Sequence, residues 1–102
     1  MLFSRLAGRD VRDAAAWIAH DNPTAAEHFV RAVTEAARRL QARPGLARSE
    51  PRLAPARYRF WSLRGFSYLM VLDAEADPPH VVRVVHTARD LPKVLRDIAG
   101  EL

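Results

Sequence analysis

The sequence predicts an α+β domain: an antiparallel β-sheet, built from a short N-terminal strand and a three-strand meander, covered by an α-helical hairpin, with a short C-terminal helix. Three observations carry this. Ala26, Phe29, Val30, Val33, Ala37 and Leu40 recur at spacings of three and four, the period of a helix with one buried face. Asp21-Asn22-Pro23 separates this segment from an earlier one of the same period. β-branched and aromatic runs punctuated by turn residues then fill the second half. Helices first and strands after favour segregated layers over alternating βαβ units.

In chain order, Leu2–Leu6 reads as a short opening strand. Ala7 to His20 has Ala7, Val11, Ala14, Ala15, Trp17 and Ile18 on helical spacing. Asn22 can cap a second helix and Pro23 fits its first position, where no N–H is missed. Glu27, Arg31, Thr34, Glu35 and Arg38 face away from the apolar stripe, and the short connection makes the pair an antiparallel hairpin. Arg43-Pro44-Gly45 stops the second helix. An irregular loop with Pro51 and Pro55 follows. Arg57–Leu63 and Phe66–Leu72 read as strands joined by a tight turn at Arg64-Gly65. In the first, Tyr58 and Phe60 share one face, and Arg57 and Arg59 share the other with Trp61. Asp73–Pro79 is an acidic, proline-bearing turn. Val81 opens a valine-rich strand, and Asp90 caps a last helix with Leu91, Val94, Leu95 and Ile98 as its apolar side.

With 102 residues, the chain forms one domain, 1–102, with one core. It has no Cys, which rules out disulfides and thiolate metal sites and agrees with a reducing cytoplasm, the expected location. The start is charged too early for a signal peptide, and no apolar run approaches spanning length, so no membrane association is expected. Sixteen basic residues give a net charge of +4, and all but Lys93 are arginine. Such a surface attracts acidic partners or nucleic acid.

The chemistry concentrates at the end of the valine strand, where His86 and Arg89 lie three residues apart. A strand mouth on a rigid scaffold is a good place to present polar groups. His20, His28, His80 and His86 show no ligand pairing, so no metal is expected. No glycine-rich phosphate loop or nucleophile elbow is present, and no cofactor is expected. Ordinary roles stand beside the functional ones. His86 can orient the turn that follows it. Arg83, alone among valines, can pair with an acidic residue on the hairpin. Arg89 can brace the last helix. Trp17 and Trp61 can serve packing.

Three blocks resemble the RelE/ParE superfamily of toxins from type II toxin–antitoxin systems, and its ParE branch, the plasmid stabilization toxins, most closely. They are Trp17-Ile18-Ala19-His20-Asp21-Asn22-Pro23-Thr24-Ala25-Ala26-Glu27-His28-Phe29, then Arg57 with Tyr68 in the next strand, then Arg83-Val84-Val85-His86-Thr87-Ala88-Arg89-Asp90. Leu72 stands where the family often has Tyr. The ParE resemblance implies a toxin that inhibits DNA gyrase without doing chemistry itself, with Arg57, Arg59, Arg83, His86 and Arg89 meeting the target. A RelE-like ribosome-dependent mRNA endoribonuclease is the alternative, with His86 as acid or base and Arg89 among the phosphate-binding cations. A plain basic nucleic-acid-binding module is the third reading. The resemblance also implies a cognate antitoxin, ribbon-helix-helix and ParD-like, that neutralises the chain in a hetero-oligomer and carries it to operator DNA. Its acidic segment would fold onto Trp17, Phe29, Val33 and Trp61.

Overall fold

The computed structural model describes Leu2–Ala88 and Leu91–Glu101. Strand β1 (Leu2–Phe3) leads into helices α1 (Arg5–Asp21) and α2 (Pro23–Ala42). A 3-10 turn (Pro44–Leu46) and strands β2 (Arg48–Ser49), β3 (Tyr58–Leu63), β4 (Tyr68–Asp73) and β5 (His80–His86) follow, then α3 (Leu91–Glu101). The α+β class and the hairpin are as expected. The opening strand is shorter than Leu2–Leu6, because the Ser4 hydroxyl accepts from Ala7 N–H and starts α1 at Arg5. Asn22 alone separates the two helices. Its N–H donates to Ile18 O at 2.9 Å to close α1, and its side chain accepts from Ala25 N–H at 3.1 Å to open α2.

The sheet order is β1-β5-β4-β3-β2. β2 to β5 pair antiparallel, whereas β1 runs parallel to β5. Two departures from the sequence reading concern turns and loops. β2 forms inside the stretch expected to be irregular. The register Leu63↔Tyr68 makes the β3–β4 connection four residues, Arg64 to Ser67, rather than a tight turn at Arg64-Gly65. Gly65 (φ 86°) and Ser67 (φ 54°) supply its two left-handed positions. Phe66 is thereby drawn off the strand and set edge-on to Phe29, with ring centroids 5.5 Å apart.

Both faces of the sheet are covered. Leu63, Tyr68, Met70, Leu72, Val81 and Val84 pack under the hairpin with Ala14, Phe29, Val33 and Leu40. Phe60, Leu69, Val71, Val82 and Val85 pack with Val94 of α3, which closes the opposite face. This is why β4 is buried along its whole length and reads as a continuous apolar run. Asp90 and Arg89 lie outside the described residues, so the expected cap of α3 does too, as does the side chain of Ile98.

The irregularity that sets the outer edge falls in β5. Val71 pairs with Arg83 but Leu72 with Val81, which leaves Val82 as an extra residue. A bulge of this kind re-aims the side chain beside it. Arg83 reaches α1, where its Nε and Nη2 donate to Asp10 at 2.7 and 3.1 Å, and Val84 N–H donates to the same carboxylate at 2.9 Å. Ser4 holds the adjacent carbonyls, its N–H to Val81 O and its hydroxyl to Val82 O, both at 2.9 Å. Asp10→Ala removes three charge-assisted bonds at once and is expected to cost about 3 kcal/mol of stability. Urea unfolding measures this, and Asp10→Asn should retain part of the loss.

Candidate functional site

β5 ends in His86, the exposed residue opposite the first residue of β4 in the register Tyr68↔His86. The imidazole stands edge-on to Tyr68 at 5.2 Å, and Tyr68 in turn contacts Phe29 at 5.0 Å. A row of rings therefore runs from the centre of the core to the strand mouth. Ala88 N–H donates to His86 Nδ1 at 3.1 Å, which places the ring proton on Nε2 and turns an N–H donor outward. The turn beyond is tied down by Thr87 N–H to Ser67 O at 2.9 Å. His86 thus orients its turn, as one reading of the sequence held, and remains accessible.

Among the described residues, Arg57, Arg59 and Arg83 do not gather around it. Arg57 precedes β3 and sits at the far end of the sheet, where Nη2 and Nε donate to the two oxygens of Asp73 at 2.8 and 3.3 Å. β4 alone separates that end from His86 by about 16 Å. Asp73 also accepts from Glu75 and Ala76 N–H, so Arg57 anchors the acidic turn. This pairing raises the guanidinium pKa through the hydrogen bond and charge of Asp73. Arg59 donates to Ala47 O at 3.0 Å and pins the loop before β2 to the sheet. Arg83, expected to face a target, is 6% exposed and braces Asp10. Arg89 lies outside the described residues. Sequence reasoning named Arg83's partner element correctly but not the partner, Asp10.

The residues expected to meet an antitoxin divide in the same way. Phe29 and Val33 are fully buried and serve the core instead. Their spacing is that of the stripe, and burial is what that stripe exists for. Trp17 is 77% exposed, so it does not pack as the periodicity of α1 implied. Trp61 is half-buried under Arg39, whose guanidinium lies 5.4 Å from the ring centroid.

Two recesses flank α2. On one side, a shallow groove of about 710 Å³ follows the α1–α2 seam, with Ala15, Ala19, Ala26 and the exposed Val30 as its base. On the other, a cleft of about 660 Å³ separates α2 from β3 and is lined by Trp61, Arg39, Arg48 and Arg64. The sequence signalled the groove only weakly, through alanines on two helical faces. Among the described residues, no three of His, Cys, Asp and Glu gather as a metal site, and no helix is long and apolar enough to cross a membrane.

A helical hairpin over a small sheet, with a firmly built strand mouth and open recesses on either side of α2, defines a compact basic domain suited to contact with other macromolecules. A model of the family described as ParE toxin of type II toxin-antitoxin system, parDE, matches residues 1–91. The chain belongs to this family, and is a toxin of the type II toxin–antitoxin class. No curated protein matches it.

Burial raises the phenol pKa of both Tyr68 and Tyr58 above 10.0, with Arg57 opposing the shift at Tyr58. A raised pKa means the unfolded chain loses these protons first. Their contribution is therefore complete below pH about 10 and falls as pH rises toward the folded-state values. Alkaline unfolding curves should flatten in Tyr68→Phe. At neutral pH, Phe29→Ala is expected to cost about 4 kcal/mol, while exposed Trp17→Ala stays within about 0.5 kcal/mol.

Proposed function

We propose that the chain inhibits DNA gyrase by forming a protein complex at the β5 mouth, and that a cognate antitoxin holds it inactive. The observation that carries this reading is the dispersal of the expected polar groups among the described residues. His86 stands at one end of the sheet with Nδ1 occupied, Arg57 is paired to Asp73 at the other, and Arg83 is engaged with Asp10. A ribonuclease needs an acid–base group and a phosphate clamp converging on one point. A binding surface needs only a firmly held edge. Leu72, fully buried, removes a hydroxyl that a nuclease relative would use.

Target contact is assigned to His86 and Thr87 with Arg89 beyond them, and Arg57 is peripheral to it. The antitoxin, a ParD-like ribbon-helix-helix protein in this reading, lays an amphipathic helix along the Ala15–Val30 groove beside Trp17 and supplies the operator-DNA contacts. The groove is apolar with Glu27 and Arg31 on its rim, which suits a helix that folds as it binds.

The test is a gyrase supercoiling assay with chain freed of antitoxin. The expected result is loss of supercoiling with trapped, cleaved DNA, reversed by antitoxin, and about tenfold weaker inhibition by folded His86→Ala. Unchanged supercoiling by folded chain, together with ribosome-dependent mRNA cleavage that His86→Ala abolishes, would replace this reading with the nuclease one.

A further inference from the structure

Strand β1 covers the outer edge of β5 only as far as Phe3, opposite Val81. Ser4 and Asp10 then take over, with the Ser4 hydroxyl donating to Val82 O and Asp10 accepting the Val84 N–H, both at 2.9 Å. Beyond that point the edge is open. Hydrogen-bonded pairs alternate in an antiparallel ladder. Thr87 N–H donates to Ser67 O under the register Tyr68↔His86, so Val85 and Thr87 turn their backbone groups to β4 while Val84 and His86 turn theirs outward. The Val84 C=O and the His86 N–H have no partner among the described residues. An open strand edge of this kind is a template for another strand.

Trp17 stands level with this opening. Helix α1 and strand β5 advance in the same direction, since Ser4 bonds to Val82 and Asp10 to Val84. Trp17 lies seven residues beyond Asp10, two turns and about 10 Å further along the same face of α1. β5 covers that distance in about three residues, which reaches Thr87. The aromatic row gives the same level independently. Asn22 alone links the helices, so Phe29, seven residues after it, lies across from Ala15, seven before it. Phe29 is joined to His86 through Tyr68. An indole 77% exposed beside an open strand edge is the kind of anchor that protein interfaces use.

The charges around Trp17 define what fits. Asp13 and Asp21 stand one turn before and one turn after it, and both are exposed. Asp13 has only a loose pair, 3.8 Å from the exposed Arg9, and Asp21 is in no ion pair among the described residues. On a chain whose net charge is +4, this rim carries more negative than positive charge. It repels phosphates and carboxylates and attracts cations.

We propose that the outer edge of β5 takes an extended, basic segment of the target protein. The segment pairs with the Val84 C=O and the His86 N–H as an added strand, lays an aliphatic side chain on Trp17 and sets its cations against Asp13 and Asp21. This rests on the reading that the β5 mouth meets gyrase, and it supplies the chemistry of the segment that is met.

The test uses the full chain with DNA gyrase holoenzyme and two measurements. Exchange of the His86 amide in the wild-type chain should slow on complex formation. Trp17→Ala, and separately Asp13→Lys with Asp21→Lys, should each bind gyrase about tenfold more weakly. All three positions are exposed, a cation at Asp21 suits the C-terminus of α1, and circular dichroism confirms that the variants are folded. The exchange measurement needs no variant. Gyrase that binds while the His86 amide exchanges as in the free chain, or that binds the variants as tightly as wild type, overturns the edge assignment and leaves the β5-mouth reading standing. Tighter binding by the double lysine variant shows an acidic partner segment and overturns the basic one. His86 slowed in the chain alone, in proportion to its concentration, assigns the edge to a second copy of this chain. Gyrase that fails to bind the wild-type chain overturns both readings.

Discussion

The carboxylate of Asp10 joins the two layers of the molecule at the point where the sheet is weakest. β5 would be an edge strand beyond the two residues of β1, and an edge carries unpaired N–H and C=O groups along its length. Asp10 accepts the Val84 N–H and two bonds donated by Arg83, while the Ser4 hydroxyl donates to the carbonyl of Val82. Helix α1 therefore acts in place of a neighbouring strand. The extra residue at Val82 makes this geometry available by turning Arg83 toward the helix. An arginine amid valines is costly to bury alone, and its pairing fixes where α1 lies over the sheet. Because α2 follows after a single linking residue, the position of the whole hairpin descends from that contact. So do the two recesses beside α2.

The hairpin was legible because two kinds of local signal agree. Apolar residues at helical spacing mark both helices, and Asn22-Pro23 carries a cap and a first-turn proline in adjacent positions. The three meander strands were legible from their alternation and from β-branched runs. What the sequence did not disclose was non-local. The parallel pairing of β1 rests on two residues, too few to carry a period. The bulge has no glycine to mark it. The four-residue β3–β4 turn depends on Ser67 taking a positive φ, which a serine does not advertise. Closure of the second sheet face by α3 follows from where Val94 lands rather than from any local preference.

The site was less legible than the fold for a related reason. A chain rich in arginine offers many candidate cations, and sequence alone does not say which are engaged by neighbours. Arg57, Arg59 and Arg83 each have a structural partner, namely Asp73, Ala47 O and Asp10. Phe29 and Val33 occupy the stripe because they are core, and among the described residues the exposed large apolar side chains of the hairpin are Trp17 and Val30, one on each helix. The same periodicity that located the hairpin thus misassigned Trp17, since a helix of seventeen residues whose buried positions are two alanines leaves large side chains free to face outward. Resemblance to a toxin family drew attention to the strand mouth, where Ala88 N–H donates to His86 Nδ1.

The α2–β3 cleft and the β5 mouth are joined through the β3–β4 turn. Arg64, at the rim of the α2–β3 cleft, begins the same four-residue turn whose last residue, Ser67, accepts the N–H of Thr87 next to His86. Phe66, between them, is locked against Phe29 in the core. The cleft and the strand mouth are therefore neighbours at one end of the sheet, linked by a turn with little freedom to move. The rim of the cleft and the exposed imidazole are thus held in a fixed relation by the packing of Phe66 on Phe29 and by the Thr87–Ser67 hydrogen bond.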